Sequence, residues 1–91
     1  MSWTLVFSNQ YEKRARRFLK RHPELEGQYL KNLQLLEANP RHPSLRLHSL
    51  GGRHSGLHSV SIYLSCRITL ELLIREQEII PINVGDHDTV Y

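Results

Sequence analysis

In the stretch LHSVSIYLSCRITLELL, residues 57–73, Val60, Ile62 and Leu64 alternate with Ser59, Ser61 and Tyr63. Ile68, Leu70 and Leu72 then alternate with Arg67, Thr69 and Glu71, and Ile74 continues the second apolar stripe. A period of two is that of a strand whose successive side chains point to opposite faces. Two such strands in succession predict an antiparallel pair with one apolar face for a core and one polar face available to solvent. His58 falls in register with Val60 and Ile62, so it reads as a half-buried partner of the core.

Beyond this pair, Arg75-Glu76-Gln77 reads as a turn and Ile79 to Val84 as a last apolar strand, followed by Asp86, His87, Asp88 and Tyr91. Before it, Gly51-Gly52 breaks a short strand candidate at Arg46-Leu47-His48-Ser49-Leu50, and a loop surrounds Arg41-His42-Pro43. Further upstream the period lengthens to that of a helix. Leu25, Tyr29, Leu33 and Leu36, with Leu30 alongside, recur between Pro23, which suits a first helical position, and Asn39-Pro40, which stops the pattern. Tyr11, Ala15, Phe18 and Leu19 mark an earlier helix, with Asn9 and Glu12 as its capping-box candidates. Lys13, Arg14, Arg16, Arg17, Lys20 and Arg21 occupy its other face, and Trp3 to Phe7 alternates as a first strand. The expected fold is α+β: an N-terminal strand, an antiparallel helix pair, then three or four antiparallel strands forming one sheet. It fills a single domain over residues 1–91.

A chain of 91 residues supports one core, and an apolar content of 40% marks it as globular rather than disordered. The formal net charge of +3 is unevenly spread. Residues 1–46 hold nine basic and four acidic side chains, and residues 47–91 hold three and five. The basic half suits either a solvated helix surface or an anionic partner. Cys66 is the only cysteine, which excludes an internal disulfide and the spaced-cysteine zinc patterns. No apolar run reaches the ~18 residues of a membrane span, and the N-terminus has no charged start followed by an apolar stretch. The expectation is a soluble, cytoplasmic protein.

Six histidines, at positions 22, 42, 48, 54, 58 and 87, raise the question of a metal. There is no HExxH and no cysteine cluster, so the linear pattern predicts neither a metal site nor a cofactor. RNA cleavage uses the same residue types differently. Attack by a 2′-hydroxyl on the adjacent phosphorus needs a base, cationic donors for the non-bridging oxygens, and an acid for the leaving 5′ oxygen. Histidine serves as base or acid, arginine as the clamp, and tyrosine as a stacking or orienting group. His48, Arg67, His87 and Tyr91 offer that set near strand ends. Each has a plainer alternative: Arg67 paired with Glu71 or Asp86, His87 hydrogen-bonded within its own turn, Tyr91 packed on the sheet edge. His22, His42 and His54 read as exposed loop residues.

The chain resembles the RelE/ParE toxin superfamily, most nearly its YafQ-like branch. The resemblance lies in His48-Ser49-Leu50-Gly51-Gly52, in Gly56 to Ile62, in Arg67-Ile68 and in the terminal Gly-x-His-Asp-x-Val-Tyr, Gly85 to Tyr91. It implies the toxin of a type II toxin–antitoxin system, a ribosome-dependent endoribonuclease that cuts mRNA through 2′-hydroxyl attack. His48, Arg67, His87 and Tyr91 then become the catalytic set. Lys13, Arg16, Arg17, Lys20, Arg46 and Arg53 become RNA-binding residues. The implied partners are a cognate antitoxin, the ribosome and mRNA, with promoter DNA met only through the antitoxin complex.

Three positions depart from the resemblance. Ser59, Ser61 and Ser65 stand where such enzymes carry cationic, histidine or aspartate side chains, and serine is neither a base nor a cation at neutral pH. Two other readings follow from that loss. One is a ParE-like inhibitor of DNA gyrase, and the other a degenerate toxin that keeps only antitoxin binding.

Overall fold

Helix α1 (Asn9–Arg21) is capped by Ser8 rather than Asn9: the Ser8 hydroxyl accepts the Tyr11 amide at 3.0 Å from an extended backbone. Either side chain caps well, and the choice falls to the residue three before Tyr11, whose ring must face the core. Pro23 does not open the second helix directly. It starts a short 3-10 turn, Pro23–Leu25, and helix α2 (Glu26–Ala38) follows, ending at Asn39. The structure, a computed structural model, describes residues 2–86, apart from the side chain of His54.

Five strands form one sheet: β1 (Thr4–Leu5), β2 (His48–Ser49), β3 (His58–Tyr63), β4 (Cys66–Leu73) and β5 (Glu78–Asp86), in the order β1-β5-β4-β3-β2. The last four are mutually antiparallel, as expected, and β1 joins β5 in parallel. The two helices carry the chain from one edge of the sheet to the other, so β1 and β2 are the two borders.

The core lies between the helices and one sheet face. Tyr11, Ala15 and Phe18 of α1 and Tyr29 and Leu36 of α2 meet Val60, Ile62, Ile68, Leu70, Ile79 and Val84. Each fully buried aliphatic side chain contributes about 1.5–3 kcal/mol relative to exposure. The alternation fails at two places. Leu64 is 79% exposed in the β3–β4 turn, where its φ of 44° is left-handed, and Ile74 is 61% exposed in the β4–β5 turn. A two-residue connection forces the first leucine out of its stripe, because a turn residue no longer alternates.

Two polar side chains fasten the helices to strand backbone. Asn32, 2% exposed, donates to the Ser61 carbonyl at 2.6 Å and accepts from Gln28 at 2.8 Å. The short β2 pairs only with His58 and Ser59, so beyond it β3 is a sheet edge, and Asn32 supplies the partner that a strand would have given. Arg14 donates to the Ile82 carbonyl at 2.9 Å. That carbonyl belongs to a bulge, where the register steps from Thr69–Asn83 to Leu70–Pro81. Pro81 has no amide hydrogen to give to a ladder, which suits a bulge.

Candidate functional site

Two rows of side chains run across the sheet on the face opposite the helices. His48, Ser59, Thr69 and Asn83 lie side by side on β2 to β5. Ser61, Arg67 and Gly85 form the adjacent row on β3, β4 and β5. Strand register alone therefore brings His48 and Arg67, nineteen residues apart in sequence, onto one face. Arg67 donates from Nη1 to the Ser61 hydroxyl at 3.5 Å. Asp86 stands opposite Cys66, on the helix-bearing side, which sets it away from Arg67.

His48 is exposed at the start of β2, and its Nδ1 lies 3.3 Å from the Arg46 carbonyl. With Nδ1 donating there, Nε2 is the basic nitrogen of the neutral ring. The expected open face is polar, yet its centre is closed: Ser59 is 0% and Thr69 2% exposed. Short hydroxyl side chains in the middle strands of a sheet sit below the reach of longer neighbours. Ser61 is half-buried, and Ser65 is exposed in the β3–β4 turn, off the two rows. His58 pairs with Leu70 and is half-buried on the core side, as its register predicts. His87 and Tyr91 lie outside the described residues.

The basic side chains do not gather on one surface. A cleft of about 250 Å³ opens between α1 and the last residues of β5, lined by Arg14, Arg17, Arg21, His22 and Asp86 together with Asn83 to Gly85. Asn83 and Gly85 also belong to the two polar rows, so the cleft and the sheet face adjoin along β5. Arg14, Arg17 and Arg21 recur at i, i+3 and i+7, one stripe of a helix. That spacing was the signal for Arg14 and Arg21, which the candidate RNA-binding set omits. Of that set, only Arg17 lines the cleft. Lys13 and Lys20 are on α1, Arg46 is exposed with a left-handed φ of 51°, and Arg53 is exposed in a 3-10 turn.

Arg16 borders a second, apolar groove of about 240 Å³ with Phe7, Tyr11, Leu19 and Leu33. Beneath it the hydroxyls of Tyr11 and Tyr29 meet at 2.8 Å. Burial, then the neighbouring Tyr29, pushes ionisation of Tyr11 far above the usual phenol range, and burial raises Tyr29 as well.

No family model and no curated protein matches the sequence. Solved structures do match. YafQ from Escherichia coli BL21(DE3) superposes with a TM-score of 0.81 at 16% identity over 98% of both chains. The E. coli DinJ–YafQ toxin–antitoxin complex gives 0.79 at 18% identity, covering 100% of this chain and 99% of that one. A YoeB/ParE toxin from Agrobacterium tumefaciens gives 0.73 at 15% identity, covering 92% and 98%. At such identities the likeness is one of architecture: this chain has the fold that YafQ and the YoeB/ParE toxin share.

Proposed function

We infer that this chain is the toxin of a type II toxin–antitoxin pair and acts as a ribosome-dependent endoribonuclease on mRNA. The observation that carries the reading is the placement of His48 and Arg67 on the same sheet face, with β3 between their strands and an arginine-lined cleft adjoining that face along β5. The fold shared with YafQ supports it.

In the proposed step the 2′ oxygen bonds to phosphorus as the bond to the 5′ oxygen breaks, leaving a 2′,3′-cyclic phosphate and a 5′-hydroxyl. Nε2 of His48 takes the 2′ proton, and the Arg67 guanidinium holds the non-bridging oxygens as their charge grows. His87 returns a proton to the leaving 5′ oxygen. Tyr91 stacks on or orients the substrate. Lys13, Arg16, Arg17, Lys20, Arg46 and Arg53, joined by Arg14 and Arg21, hold RNA phosphates. The step as written uses no cofactor. A ribosomal target places the action in the cytoplasm, and among the described residues no helix is long and apolar enough to cross a membrane. The cognate antitoxin lays a segment over the groove edged by Phe7, Tyr11 and Leu19 and over the active face, and it makes the promoter contacts of the complex.

Cut ends are mapped on a defined message in a purified translation system. Cuts at the ribosomal A site that fall at least about a hundredfold in Arg67→Ala, and also fall in His48→Ala, support the reading. Arg67→Ala at the full rate refutes the roles assigned. One observation favours a second reading: Ser59 is fully buried and Ser61 half-buried, so neither presents a cation or a base to a substrate. A folded, antitoxin-free chain that makes no cuts but traps gyrase on DNA has the ParE-like activity. One that does neither is a binding partner of its antitoxin.

A further inference from the structure

His22, Cys66 and Asp86 are far apart in sequence and belong to three elements. His22 closes α1, Cys66 begins β4 and Asp86 ends β5. Cys66 and Asp86 are cross-strand partners, with Sγ 3.7 Å from Oδ1. One ligand-capable atom from each of the three lies within 4.8 Å of the others. We propose that these side chains form a zinc site that ties the C-terminal end of α1 to the ends of β4 and β5.

Four-coordinate zinc with bonds of about 2.0–2.3 Å separates its ligand atoms by roughly 3.3–3.8 Å. The sulfur–oxygen pair already has that separation. Rotation of the half-exposed imidazole and the exposed carboxylate supplies the remaining contraction of about 1 Å. The burial is graded to suit an ion. Cys66 is 7% exposed, which shields sulfur from solvent, while Asp86 and His22 border the cleft and leave a path of entry. The Phe18 ring packs on the His22 ring with centroids 4.9 Å apart, and Glu24 lies 3.5 Å from His22 Nδ1, a further carboxylate beside the cluster.

The donor set selects the metal. Magnesium and calcium take oxygen ligands, whereas one thiolate, one imidazole and one carboxylate suit zinc. A thiolate and a carboxylate together neutralise a divalent ion. Arg17 and Arg21 line the same cleft and oppose a cation. Among the described residues no ion pair ties Asp86 to them, so its carboxylate is available as a ligand. The lone cysteine, uninformative in the linear pattern, gains its partners through the register of β4 with β5 and the position of the α1 terminus. The proposal stands whether or not the chain cleaves RNA.

Metal binding is measured on the purified full chain without an affinity tag, using cobalt as a spectroscopic probe and zinc in competition with a chromophoric chelator. The expected result is one ion per chain, with a thiolate-to-cobalt absorption band that zinc abolishes. Cys66→Ser removes the band and weakens zinc by at least about tenfold, Asp86→Asn weakens zinc in the same direction, and His42→Ala changes neither. Far-UV circular dichroism on the same samples confirms folding. Should Cys66→Ser not fold, the exposed Asp86→Asn decides. A folded wild-type chain with no thiolate band, or zinc affinity unchanged in folded Cys66→Ser or Asp86→Asn, overturns the site and leaves only adventitious binding by surface histidines.

Discussion

Replacing Asn32 tests how the helix layer is fastened to the sheet. In Asn32→Ala the Ser61 carbonyl loses its donor at a position shut from water, since Asn32 is 2% exposed. An orphaned buried acceptor costs about 1–3 kcal/mol, and the vacated volume adds to it, so the expected loss is about 2–4 kcal/mol. A domain of this length has roughly 5–14 kcal/mol in total. Asn32→Asp is nearly isosteric and more informative. At neutral pH it sets a carboxylate against a carbonyl, two acceptors with no donor, and buries a charge, so it costs more than alanine. When protonated it regains a donor. The folded-state pKa of the introduced carboxyl is raised above the usual ~3.9, so its contribution to stability is fully present below the unfolded value and lost as pH rises through the folded one. Urea unfolding at pH 4 and pH 7, read as midpoints at constant slope, checks both variants. Asn32→Ala within about 0.5 kcal/mol of wild type, or Asn32→Asp equally destabilised relative to wild type at both pH values, refutes the reasoning.

Other outcomes follow from single contacts. Tyr11→Phe leaves the Tyr29 hydroxyl unpaired and costs about 1–3 kcal/mol, whereas the double change to phenylalanine costs less than the sum of the two singles in a denaturation cycle. Because both phenols are raised, their contribution is present below the unfolded pKa of about 10 and is lost as pH rises above it; alkaline unfolding monitored by circular dichroism shows a later onset in the double variant. Ser8→Ala removes the α1 cap and lowers stability by about 0.5–2 kcal/mol in a thermal melt. If the cleft holds RNA phosphates as proposed, Arg17→Glu with Arg21→Glu weakens RNA binding and flattens its salt dependence by about one to two phosphate contacts in a filter-binding titration, whereas Lys31→Glu, on α2 outside the cleft, leaves the slope unchanged.

The elements were legible in the linear chain, because their signals are periodic and local. Alternation in residues 57–73 marked β3 and β4, and the spacing of Tyr11, Phe18, Tyr29 and Leu36 marked both helices. Residue type and position also made His48 and Arg67 candidates, and register gave the half-burial of His58. How the elements meet was settled by packing alone. The parallel seat of β1, the bulge at Ile82 that Arg14 satisfies, and the carbonyl of Ser61 that Asn32 satisfies all depend on backbone groups left over when strands of unequal length pair. No side-chain pattern encodes those groups. The arginine cleft and the gathering of His22, Cys66 and Asp86 have the same origin: each arises where the end of a helix is laid against strand ends, so residues distant along the chain become neighbours once the layers have packed.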